Sequence, residues 1–122
     1  MNIKNIVNKV YPVIAKDYKC NAKVELYSDI FARLNSTSAI DEHESYSEYS
    51  WSKNKIYLYT NHLNSEEDII RSLIHECVHS KQNKWLFDCY YDEGETYETH
   101  PYEIEARKAE NNWYKYLKYL IK

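Results

Sequence analysis

Ile3, Ile6, Val7, Val10, Val13 and Ile14 recur at i, i+3, i+4, i+7, i+10 and i+11, the stripe of a helix lying with one face on a core. Pro12 stands inside that stripe and is expected to kink the helix or end it early. Over residues 23–27 the period drops to two, with Val24 and Leu26 on the inward side, and residues 56–59 repeat the same strand signal. Residues 46–51 are spaced to pair with them as a hairpin around the polar turn Ser52-Lys53-Asn54-Lys55. Ser65 then supplies a capping hydroxyl ahead of Glu66, Glu67 and Asp68, acids that favour a helix N-terminus, and the pattern predicts a helix over about 66–82. Residues 88–98 are acidic and Tyr-rich, contain the only glycine, Gly94, and show no clean period, so they read as a loop. Pro101 marks the first turn of a last helix running to about 120.

These elements predict an α+β fold as one domain over residues 1–122: an N-terminal helix on a small, mostly antiparallel sheet, followed by two further helices. Hydrophobic residues make up 43% of the chain, but 14 of them are tyrosines, so the expected core is small and rich in hydroxyls at its margins. A net charge of -3 argues against disorder, and the absence of a Lys/Arg cluster argues against nucleic-acid binding. No stretch approaches the roughly 18 apolar residues of a membrane span. The amphipathic opening Met-Asn-Ile-Lys-Asn-Ile-Val lacks the hydrophobic region of a signal peptide, and Cys20, Cys77 and Cys89 cannot all pair in one chain. Free thiols in a reducing, cytoplasmic setting are the expectation.

The chemistry lies in the capped helix. His75-Glu76-Cys77-Val78-His79 is an H-E-x-x-H motif, whose histidines, four residues apart, share one face and can reach one metal ion. At about 100° per residue, Ile69, Ile70, Leu73, Ile74, Cys77 and Val78 fill one half of the helix, while His75, His79 and Glu76 fall in the other. Chance produces such a motif in about 2% of chains of this composition, before a capped helix of the right phase is also demanded. Neutral imidazoles suit zinc, a third protein ligand completes the holding set, and the fourth position stays open for water. Glu76 is then placed to take a proton from that water. Cys77 falls among the core residues and reads as a small buried hydrophobe.

The third ligand has to come from elsewhere, and downstream His100, Glu103 and Glu105 are the candidates. The next histidine does not follow the three-histidine H-E-x-x-H-x-x-G-x-x-H pattern, since positions 82 and 85 are Gln82 and Trp85. His100 reads better as a capping or loop residue. From about residue 56 onward the chain resembles the gluzincin metallopeptidases, in which an H-E-x-x-H helix is followed by a helix donating a Glu; in size it is most similar to the minigluzincins. That resemblance implies one zinc per chain and a peptide or protein substrate. Through the Glu-x-x-Ala pattern of Glu103 and Ala106 it implies His75, His79 and Glu103 as ligands, with Glu105 the alternative.

It further implies that Glu76 acts as general base. An oxyanion-stabilising group would be drawn from Tyr90, Tyr91, Tyr97, Tyr102 and His100, and a substrate-binding sheet edge would lie at residues 56–60. A second function class keeps the zinc and drops the catalysis: a latent or silent binding module, with the acidic Tyr-rich segment as its recognition surface or plug. His43 and His62 have no ligand partner at helical or hairpin spacing and read as exposed histidines.

Overall fold

The computed structural model describes residues 1–34 and 46–121. Its first element, α1 (Ile3–Asp17), is capped by Asn2, whose side chain accepts from the Asn5 backbone amide at 3.0 Å. Ile6, Val7, Val10 and Ile14 form the buried stripe. Pro12 neither ends nor shortens the helix; it is exposed and costs one backbone bond on the solvent side, while Val10 and Ile14 on either side of it are fully buried. Tyr11 anchors the end of α1 by donating to the Ala22 carbonyl at 2.5 Å.

β1 (Lys23–Tyr27) leads into the short α2 (Ile30–Leu34); β2 (Ser47–Ser50) and β3 (Lys55–Tyr59) form the expected hairpin. Asn54 closes that hairpin in the left-handed region at φ 51, a conformation its short polar side chain tolerates, and Tyr49 donates to its side-chain oxygen at 2.7 Å. His43 lies outside the described residues.

The strand order is β1-β3-β2, and the sheet is mixed rather than mostly antiparallel. β2 pairs antiparallel with β3, setting Tyr49 opposite Ile56, whereas β1 runs parallel to β3 with Leu26 opposite Leu58. The connection between β1 and β3 is long enough for the crossover that a parallel pair needs. β3 is therefore the central strand, not the edge expected at residues 56–60, and its run of Ile56, Tyr57, Leu58 and Tyr59 is at most 4% exposed. Ile56 and Leu58 join the helical core. Arg33 on α2 donates to the Tyr59 hydroxyl and lies over the Tyr57 ring.

α3 (Glu66–His79) starts where the acids predict, with Ser65 accepting from the Asp68 amide at 3.1 Å. It ends three residues short of the expected boundary, at the turn through Ser80. Ile69, Ile70, Leu73, Ile74 and Cys77 are fully buried against α1 and the sheet.

The expected loop at residues 88–98 is helical in its first part: α4 (Lys84–Asp92) is capped by Asn83 and stops before Gly94 at φ 101. No residue of α4 is buried, so the helix leaves no apolar period in the sequence. α5 (Pro101–Glu110) follows, and the expected continuation to 120 breaks at Asn111 into a 3-10 helix over Trp113–Tyr119. From that last turn Tyr116, itself buried, donates to Asp17 at the end of α1 at 2.7 Å. Among the described residues no helix is long and apolar enough to cross a membrane.

Candidate metal centre

α3 and α5 pack against each other. Their contact brings Glu103, in the first turn of α5, against the two histidines of α3. His75 Nε2 and His79 Nε2 are 3.0 Å apart, and Glu103 Oε1 lies 2.5 Å from the second and 3.4 Å from the first. All three side chains are buried. Glu105, one residue from Ile104 on the solvent side of α5, is exposed and takes no part.

The outer nitrogens of the two rings are fixed by their own partners. His75 Nδ1 is 2.7 Å from Glu110 Oε2, an acceptor-only carboxylate, so that nitrogen carries a proton. Gln82 donates its amide nitrogen to the Tyr102 carbonyl at 3.0 Å, which turns its oxygen to His79 Nδ1 at 2.6 Å and makes that nitrogen a donor as well. In the neutral histidines both Nε2 lone pairs therefore point at one place. Glu103 Oε1 points there too, and apart from its two histidine neighbours this fully buried atom has no partner among the described residues.

Three acceptors converging in a buried position, two of them aimed by outer hydrogen bonds, make a donor set able to hold a metal ion. A tetrahedral ion with bonds of about 2.0–2.1 Å separates its ligands by roughly 3.4 Å, close to two of the three spacings, and the His79–Glu103 contact would open by under about 1 Å. The residues present can hold a metal ion.

Without metal the same groups form an ion-pair cluster. Burial alone would lower the His75 pKa, but the carboxylates of Glu103 and Glu110 overcome it and raise it to about 10. Burial would raise Glu103, yet hydrogen bonds from His75 and His79 bring it down to about 2.

Glu76 stays outside the triad. It is 3% exposed, lines the cleft, and accepts a 2.5 Å hydrogen bond from the Ser47 hydroxyl of β2. The cleft itself, about 1100 Å³, runs between β2 and the α4–α5 side of the molecule with the triad and Glu76 in its floor. Trp51 and Phe87 flank His79, with ring centroids 6.0 and 5.4 Å from its own, and Tyr97 stacks beyond His75 at 6.5 Å.

Of the tyrosines considered for the cleft, Tyr91 and Tyr97 line it, and Tyr91 donates to Glu103 Oε2 at 3.3 Å. Burial, with the Glu103 charge beside it, pushes the Tyr91 hydroxyl up to about 12 and keeps it a donor. Tyr90 and Tyr102 pack against His100 instead and are not part of the cleft wall. His100 is fully buried at the N-cap of α5, where Nδ1 accepts from the Tyr102 amide at 3.1 Å and Nε2 donates to the Phe87 carbonyl at 2.8 Å. Both its nitrogens are used, so it neither ligates nor faces the cleft.

Gln82 and Glu110 are the site residues that sequence reading passed over. Glu110 shares a face of α5 with Glu103 and Ala106 at i, i+3 and i+7, the one signal that could have found it. Against protein-family models, curated proteins and solved structures the chain finds no match.

Proposed function

We propose that this chain is a zinc-dependent peptidase of gluzincin type, with His75, His79 and Glu103 as the holding set and Glu76 as general base. Glu76 carries the reading: a buried carboxylate one residue past the first histidine, facing the cleft and bonded to Ser47 rather than drawn into the triad. A site serving structure alone has no use for a base beside an open position.

Zinc bound there would supply Lewis-acid polarisation and lower the pKa of water in its open position toward about 7. The rest is the work of the chain. Glu76 takes the proton from the attacking water and carries it to the leaving amine, while the Ser47 hydroxyl holds one carboxylate oxygen so that the other faces the substrate. Glu110 and Gln82 keep both rings in the tautomer that presents Nε2. The Tyr91 and Tyr97 hydroxyls border the space where charge develops on the carbonyl oxygen. β2 is the outer strand on the cleft side of the sheet, and an extended peptide adds there rather than to β3.

The test is zinc content together with hydrolysis of a quenched peptide library. One zinc per chain, lost in Glu103→Ala, and hydrolysis lost in Glu76→Gln with zinc retained are the expected results. Zinc without hydrolysis by the wild-type chain would leave a latent or binding module, the second reading.

A further inference from the structure

Arg71 is the only Lys or Arg side chain among the described residues that line the cleft, and it stands on α3 one turn before His75. Its Nε donates to Glu67 at 2.8 Å, while Glu110 Oε1 is 3.8 Å from Nη1, an ion pair too long for a hydrogen bond. The guanidinium lies 5.8 Å from the Trp113 ring centroid, and its side chain is 31% exposed. Both terminal amino groups are thus without a hydrogen-bond acceptor among the described residues, and a guanidinium presents these donors as a fork matched to a planar carboxylate.

Ser72 follows it. This residue is 6% exposed and lines the same cleft, yet its hydroxyl makes no hydrogen bond among the described residues. A helical serine usually turns its hydroxyl back to a carbonyl one turn earlier; this one is instead left open to the cleft and available to a ligand. The carboxylates nearby are already engaged: Asp68 accepts from the Asn64 amide at 3.0 Å and Glu110 from His75.

We propose that Arg71 and Ser72 form a carboxylate-binding subsite, in which the guanidinium fork and the hydroxyl hold the C-terminal carboxylate or an Asp or Glu side chain of a bound peptide. The peptide nature of the ligand rests on the function proposed above. One turn from His75, such a contact fixes the direction in which a peptide crosses the site and favours substrates that place an anion beside the scissile bond.

Calorimetric titration of the zinc-loaded full chain carrying Glu76→Gln tests the subsite without turnover. Four peptides are compared: acetyl-Ala-Ala-Ala with a free carboxylate, its C-terminal amide, acetyl-Ala-Asp-Ala-amide and acetyl-Ala-Asn-Ala-amide. In at least one pair the carboxylate member should bind about tenfold tighter than its neutral twin, and the pair that shows it separates terminus from side chain. Arg71→Gln should abolish that preference, Arg71→Lys keep part of it, and Ser72→Ala weaken it several-fold, all with zinc content unchanged.

Equal binding within both pairs, or a preference untouched by Arg71→Gln, overturns the subsite and leaves the peptidase standing. If Arg71→Gln loses zinc, an undiminished preference in both Arg71→Lys and Ser72→Ala overturns it equally. Failure of all four peptides to bind overturns the subsite and the peptidase together.

Discussion

Gln82 joins His79 to Tyr102: its oxygen lies 2.6 Å from His79 Nδ1 and its nitrogen 3.0 Å from the Tyr102 carbonyl. One amide therefore orients a ring on α3 and ties the end of that helix to the first turn of α5, where Glu103 sits. Gln82→Ala should weaken zinc binding about 10- to 100-fold, as loss of an outer partner typically does. Competition with a chromophoric chelator measures it, and an unchanged affinity would mean that the ring is held by packing against Trp51 and Phe87 alone.

His100 holds α5 from the other side. His100→Ala removes the N-cap and leaves the Phe87 carbonyl without its donor, losses of about 1 kcal/mol and about 1–3 kcal/mol. Urea unfolding of the metal-free chain should show a destabilisation of about 2–4 kcal/mol. Zinc affinity should fall with it, because the cap positions Glu103.

The cluster gives metal-free and metal-loaded chains opposite responses to pH. His75 is raised from 6.5 to about 10, so its contribution to the metal-free fold is full below pH 6.5 and is lost as the pH climbs toward 10. Glu103 is lowered from 4.5 to about 2, so its contribution is full above pH 4.5 and is lost as the pH falls toward 2. Metal has to displace the His75 proton, so its affinity rises with pH over the range where the metal-free fold weakens. Thermal unfolding between pH 5 and pH 9, with and without chelator, should show a gap that widens with pH; a gap that narrows would contradict the assignment.

Tyr116→Phe should cost about 1 kcal/mol through its bond to Asp17 and leave zinc content unchanged. Denaturant unfolding beside metal analysis checks both, and a loss of zinc would show the Tyr116–Asp17 contact to be coupled to the site.

Much of this arrangement is legible in the sequence because it follows local rules. The Ser65 cap, the acids after it and the 3.6 period of Ile69 to Val78 fix α3 and the side on which His75, Glu76 and His79 emerge. What is not legible depends on packing between distant segments. The parallel pairing of β1 with β3 spans the whole of α2 and β2, and nothing in either strand encodes it. α4 hides because its aromatic side lines a cleft instead of entering the core, so Phe87 and Tyr91 make contacts that no burial pattern announces. Glu103 and Glu105 differ only in which side of α5 meets α3, and the buried Ala106 on the Glu103 side decides it. Glu110 and Gln82 look like ordinary surface residues until the second helix is in place.

The bond from Tyr116 to Asp17 spans 99 positions of the sequence. A chain emerging from the ribosome can form α1 early, but the side of α1 that meets Tyr116 has no partner until the last helical turn has been made. Completion of the core therefore waits until the segment carrying Tyr116 has left the ribosome, and a ribosome-stalled chain stopping after α5 would leave that side of α1 open to proteases.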